Sequence, residues 1–232
     1  MRRYGFRSTA DGAYLYMEEN SNNSLAIGFN ASQNALNLAA SSSTGCIPTS
    51  PLYMSIIPAT GTYAFNSASG TTFSISGTGN ISAPLHTSFL ATINSADNNV
   101  TGNGATYQLG TNVAFTEIFD KGSNFNTNGT FTAPIDGNYF FSTMILCGGL
   151  TILSTSLELR IVTTARAYVQ TLNPAGLFVS SNATVSFSTV ASMTAGDTSR
   201  VTLMVNGLAG NTVDIVGSGS QANVVFGGYL LL

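Results

Sequence analysis

The chain has 232 residues, of which 44% are apolar and only 7% charged, with a net charge of −3. An ordinary domain is about a quarter charged, so this surface must be covered by Ser, Thr, Asn and Gly, and no basic stripe is left for nucleic acid. No run of 18 apolar residues occurs, so membrane insertion through an apolar helix is not expected.

Residues 1–12 hold three of the seven basic residues, Arg2, Arg3 and Arg7. They read either as a solvated terminus or as a basic anchor that docks into an acidic groove. No apolar segment follows Arg2-Arg3, so the opening is not expected to be a secretory signal. The sequons at Asn22, Asn30, Asn80, Asn99, Asn128 and Asn182 then read as Asn/Ser/Thr abundance rather than glycosylation acceptors.

Residues 13–87 alternate short apolar runs (AYLYM, LAIGF, LYMSII, TFSIS) with polar pieces, which predicts short strands and loops. The stretch 31–40 has spacing for two helical turns, interrupted by Asn and Ser. Strands this short bury little alone. The Gly- and Ser-rich stretch 61–83 reads as a shaft in which three chains complete one another's core, or as an ordinary β subdomain. His86, the only histidine, follows Pro84 at the presumed junction and reads as linker.

Residues 88–232 supply about ten strand-like runs separated by turns, the pattern of a sandwich or jelly roll. Val113, Phe115 and Glu117 alternate with Ala114, Thr116 and Ile118. The polar run 121–128 breaks that pattern, 129–133 is a short strand, 134–137 a turn, and 138–145 an aromatic strand. Val185-Phe187-Thr189 and Val201-Leu203-Val205 alternate cleanly. Tyr139–Leu146 and Val224–Leu232 are almost continuously apolar. In a two-layer sandwich one strand face meets the core, so the second apolar face needs another chain.

The order of Asp120, Phe125, Phe131, Gly137, Tyr139 and Phe141, then Ala195-Gly196-Asp197 and the closing Val225–Leu232, resembles the globular head of the complement C1q family, within the tumour necrosis factor-like superfamily. The resemblance covers residues 88–232. Phe115 sits one residue closer to Asp120 than the pattern, the loop from Phe125 to Phe131 is one residue short, and Thr143 replaces a usual aromatic. The resemblance implies an all-β chain with a C-terminal jelly-roll sandwich that forms a homotrimer. Phe115, Phe119, Phe125, Phe131, Tyr139, Phe141, Phe226, Tyr229 and Leu231 are then expected in core or trimer packing. Related heads sometimes hold calcium near the trimer apex. Asp97-Asn98-Asn99, Asp120 and Asp214 carry oxygens of the type calcium uses, but no fixed-spacing loop is present, and solvated turns are the preferred reading.

Catalytic constellations are not expected. Glu18-Glu19 is the only adjacent acidic pair, and strand neighbours point to opposite faces. Glu117 and Glu158 are the one pair considered able to meet in space. Cys46 and Cys147 are expected as buried free thiols, with one disulfide as the alternative. No CxxC or Cys/His cluster calls for a metal, and no cofactor is expected. Tyr53, Tyr63, Tyr107 and Tyr168 are candidates for contact residues, with packing the preferred role. The expected protein is a non-enzymatic trimeric fibre, spike or capsid decoration at the surface of a virus or phage. Residues 1–12 would hold a capsid or tail protein, 13–87 would form the shaft, and the 88–232 head would bind a host surface protein or glycan. The alternatives are a bacterial surface or secreted adhesion module and a soluble cytokine-like receptor ligand.

Overall fold

A computed structural model of the chain describes residues 3–9, 12–20, 23–30, 35–41, 52–57, 62–67 and 70–231. Arg2 and Cys46 lie outside them, as does the side chain of Tyr53. Contacts divide the chain into two units, Met1–Leu85 and His86–Leu232.

The first unit is one antiparallel sheet in which every strand pairs with the next in sequence. Its strands are β1 (Arg3–Thr9), β2 (Gly12–Asn20), β3 (Asn23–Asn30), β4 (Ala35–Ser41), β5 (Leu52–Ile57), β6 (Thr62–Ser67), β7 (Gly70–Ile75) and β8 (Ile81–Ser82). Arg3 stands opposite Glu18 and Arg7 opposite Tyr14, so both arginines belong to the ladder rather than to a free tail. The interrupted helical spacing at 31–40 gives way to strand over Ala35–Ser41, because pairing on both sides with β3 and β5 overrides a weak local preference. Among the described side chains of this unit Ala64 is buried, while Leu15, Ile27, Tyr63 and Phe65 are 44–46% exposed.

The second unit is a two-sheet sandwich. Its strands are β9 (Ser88–Thr92), β10 (Asp97–Thr101), β11 (Thr106–Gln108), β12 (Thr116–Lys121), β13 (Phe125–Asn126), β14 (Thr130–Thr132), β15 (Gly137–Gly148), β16 (Ser156–Thr163), β17 (Ala167–Leu172), β18 (Ala183–Met193), β19 (Thr198–Asn206), β20 (Val213–Ile215) and β21 (Val224–Leu230). One sheet runs β10-β20-β15-β21-β9-β12, with β18 also pairing β15; the other runs β13-β14-β19-β16-β17, with β11 also pairing β19. The only helical turn among the described residues is the 3₁₀ turn Pro174–Gly176, and no helix there is long and apolar enough to cross a membrane.

Alternation in the long strands builds the core. Tyr139, Phe141, Ile145 and Cys147 of β15 point inward, as do Leu157, Leu159 and Ile161 of β16. The rings interlock: Phe89 stacks on Phe125 at 4.7 Å and on Phe131 at 4.9 Å, and meets Phe226 edge-on at 5.1 Å. Aromatic pairs in such geometry add about 0.5–1.5 kcal/mol each beyond their burial. The Tyr139 hydroxyl donates to the Ile135 carbonyl at 2.8 Å, satisfying the one polar atom of that ring. Cys147 is a free thiol, and burial pushes it up to about 12.

Two local expectations shift. Strand β12 starts at Thr116, three residues after the predicted Val113. Phe115 is nonetheless buried, because its N–H donates to the Thr127 carbonyl at 2.8 Å and turns the ring inward before the ladder begins. The turn after β14 is held from outside by the Ala195-Gly196-Asp197 turn: the Asp136 Oδ1 accepts from Ala195 N at 2.8 Å, and Gly196 N donates to the Ala133 carbonyl at 2.8 Å.

Candidate functional site

The sandwich exposes an apolar outer face on the sheet that contains β15. Register places Phe140 opposite Tyr229 on one side and Val190 on the other. Leu90 lies opposite Gly227 and Phe119, and Met144 opposite Val225. Facing residues of an antiparallel pair share a side, so these form one surface across β12, β9, β21, β15 and β18. The Phe140 and Tyr229 rings meet at 5.2 Å. Tyr229 is 44% exposed, Val190 50% and Phe119 45%; Ser142, Gly227 and Ser188 lie between the Phe140 cluster and Met144, so large apolar residues alternate with small ones on this exposed face.

The glycines of the closing strand explain how this face stays flat. A Cβ at Gly228 would lie 2.6 Å from the Phe141 ring, and one at Gly227 2.9 Å from the Leu90 side chain. Gly228 therefore makes room for the core aromatic, and Gly227 for the outer aliphatic.

A second feature is the end of the sandwich remote from chain entry and exit. Ser88 pairs with Tyr229, so the chain enters and leaves at one end on neighbouring strands. The loops 149–155 and 173–182 lie at the other end, joined by the bond from Leu150 N to the Ser181 carbonyl at 3.0 Å. They carry Ile152 and Val179, 80% and 78% exposed, and neither loop contains a charged residue.

A model of the C1q domain matches residues 98–231. The chain belongs to the C1q domain family. Among solved structures, the globular domain of zebrafish complement 1qA protein is 18% identical, covering 63% of this chain and 98% of that one, with a TM-score of 0.43. Murine APRIL at pH 8.5 is 11% identical, covering 63% and 99%, with a TM-score of 0.42. None of the curated proteins matches the chain. C1q and related domains typically form homotrimers and bind ligands or receptors.

Within the C1q domain the nine aromatic and aliphatic positions picked out in the sequence separate into two sets. Phe115, Phe125, Phe131, Tyr139, Phe141 and Phe226 are buried inside the sandwich. Phe119, Tyr229 and Leu231 are not core residues; each is more than a third exposed. Phe140, Met144 and Val225 of the outer face belong to the second apolar faces of the runs Tyr139–Leu146 and Val224–Leu232, which the sequence already marked as needing a partner. Leu90 and Val190, which complete the face, lie outside those runs and were missed. Arg3 and Arg7 sit on β1 of the other unit.

Of the oxygen donors named for calcium, the three aspartates each accept a hydrogen bond, although the second oxygen of Asp120, Oδ1, is buried without a partner. Asp97 is buried and accepts from the Tyr107 hydroxyl and, at 3.2 Å, from the Asn112 amide. Asp214 accepts from Asn99 N at 2.7 Å, and Asp120 from Phe125 N at 2.9 Å. Among the described residues no three acidic, His or Cys side chains come together as a metal group. Tyr107 is thus a buried structural hydroxyl, and burial with the Asp97 bond raises its pKa far above the usual phenol value. Tyr168 packs against the core, while Tyr63 is exposed in the first unit. Glu117 and Glu158 stand on different sheets, on β12 and β16, and the Arg160 Nε donates to Glu158 at 3.0 Å. His86 lies in the bend before β9.

Proposed function

We propose that the protein is a non-enzymatic homotrimer in which the C1q domain is a recognition head carried by the N-terminal strands. The observation that carries this reading is the outer row of Leu90, Phe140, Val190 and Tyr229, large apolar side chains gathered on the outer face of one sheet. Each such side chain contributes roughly 1.5–3 kcal/mol when fully removed from water. A second chain turned about a threefold axis is an occupant that closes the assembly instead of polymerising. The uncharged loop end would then project from the trimer as its recognition end, and three heads acting together would turn weak contacts into avidity. Binding rather than catalysis is favoured by the separation of Glu117 from Glu158 and by the single histidine in a bend.

The setting that best joins these features is a fibre, spike or decoration on a virus or phage surface. Its support is the low share of charged residues, 7%, and the clustering of three of the seven basic residues, Arg2, Arg3 and Arg7, in one short stretch, since guanidinium forks suit carboxylates of a capsid or tail protein. The test has two arms. Light scattering of the full chain should give three times the 24.0 kDa chain mass, falling to one with Phe140→Lys and Tyr229→Lys while the fold survives. A wild-type monomer at micromolar concentration overturns the trimer. In the second arm, Arg2→Ala, Arg3→Ala and Arg7→Ala together should keep the trimer but strip it from its particle; incorporation at wild-type levels overturns the anchor.

A further inference from the structure

On the flank of the sandwich, the hairpin of β13 and β14 carries a cleft of about 440 Å³. That volume lies within the range of small-ligand sites, roughly 300–1,000 Å³. Its lining differs from the usual apolar pocket. Phe125 forms the floor, and every other wall residue is Ser, Thr or Asn. No charged group lines it, so neither an anion nor a cation meets a counter-charge there.

The cleft is built rather than fluid. Asn126 Oδ1 accepts from Asn128 N at 3.0 Å, and Asn128 Oδ1 accepts from Thr130 N at 3.0 Å. These two bonds commit both amide oxygens to the backbone, and so fix the amide planes. The Nδ2 groups of Asn126 and Asn128 are left as donors with no protein partner. Asn124 is oriented the opposite way: its Nδ2 donates to the Lys121 carbonyl at 3.4 Å, which leaves its Oδ1 as an acceptor. The hydroxyls of Thr130 and Thr132 add groups that donate or accept. The frame beneath is anchored in the core through the Phe125 ring on Phe89, the bond from Phe125 N to Asp120, and that from Thr132 N to the Asn124 carbonyl at 2.8 Å. Gly110 packs so tightly against this loop that a Cβ there would sit 2.5 Å from the Asn128 carbonyl carbon.

Fixed amide donors, a fixed amide acceptor and free hydroxyls, in a rigid site without charge, complement a ligand that presents many neutral hydroxyls. From this we infer that the cleft of Asn124, Asn126, Asn128, Thr130 and Thr132 is a binding site for a neutral saccharide. Preorganisation lowers the ordering cost of such a contact. The inference names a ligand for the recognition head, and to that extent rests on the reading above.

The test uses the full chain on an immobilised panel of neutral, sialylated and sulfated oligosaccharides. The substitutions Asn126→Asp and Asn128→Asp keep the turn-forming Oδ1 and remove the Nδ2 donors, so folding is preserved; Thr132→Val removes one hydroxyl at constant shape. Asn94→Asp, on the remote 93–96 loop, is the control. At least one neutral glycan should be retained by the wild type and the control, and the double Asp variant should bind it at least tenfold more weakly, with unchanged trimer mass and melting. Retention of no neutral glycan, preference for the charged ones, or binding undiminished by the double Asp variant overturns the inference. Adhesion of the protein to a host surface that survives glycan removal separates the two readings: recognition by the head then stands and the saccharide cleft falls.

Discussion

The two units solve the same problem, burying apolar strand faces, in opposite ways. In the first, each strand pairs only with its sequence neighbour; among its described side chains Leu15, Ile27, Tyr63 and Phe65 stay nearly half exposed, while Met54, Ile56, Phe73 and Ile75 are half-buried. In the second, β9 pairs with β21 and β12, and β14 with β19, so distant segments close a core of fully buried aromatics. The difference teaches that strand content does not measure stability. A chain of local hairpins forms quickly because little loop entropy is lost per contact. The sandwich loses more entropy in folding and gains a dry interior.

The comparison can be broken or sharpened by experiment. The largest contrast should appear in thiol chemistry. With Cys46→Ser leaving one cysteine, alkylation of Cys147 in the native protein should be at least about a thousandfold slower than in denaturant, because the thiol reacts only when the sandwich opens. Rapid native labelling would mean that the core is not closed. Next, Phe131→Ala should lower the stability of the sandwich by about 3–5 kcal/mol in a denaturant titration, whereas Phe65→Ala, at 44% exposure, should move the first unit by no more than about 0.5 kcal/mol in the monomeric state. A large loss from Phe65→Ala in the monomer would show that the first unit has a core of its own.

A smaller effect should follow from Gly207→Ala. Gly207 has φ +103°, and a Cβ would lie 2.1 Å from the Leu153 carbonyl oxygen. The loop end must shift, at a cost of about 1–3 kcal/mol, visible as a lower melting temperature of the second unit alone. The smallest effect is a pH dependence. Asp197 accepts from the N–H and the hydroxyl of Thr194, at 2.9 and 3.0 Å, and these bonds hold its carboxyl below the usual carboxylate range. A folded pKa below the unfolded one gives stability that is present above the unfolded value and lost as pH falls through the folded one. Acid titration of the second unit should therefore show a slight loss beginning below about pH 4, and Asp197→Asn should remove that step while lowering stability at neutral pH.

Much of the sandwich was legible in the chain. The alternation of 185–189 and 201–205 appears as β18 and β19, and the continuous apolar runs as β15 and β21, whose second faces are the exposed row. What the pattern concealed was parity. Between Glu117 and Phe119 the register with β9 slips by a bulge, and one extra residue swaps the two faces of a strand. Phe119 thus turns outward although Phe115 is inside. The site on the flank was hidden differently. The run 121–128 shows in sequence only as turn-forming residues, and which amide oxygens serve the backbone depends on a fold closed by Phe125. The buried bond between Tyr107 and Asp97 likewise joins residues on β11 and β10, a pairing that no local periodicity encodes.

The adjacency of Ser88 and Tyr229 has a practical meaning for anyone reshaping this protein. Entry and exit on neighbouring strands make the sandwich a cassette with one socket. Its sequence could be lifted from Ser88 onward and placed on another stem without threading a linker around the molecule. A peptide spliced into 151–153 would be displayed at the opposite pole, in three copies if the chains associate.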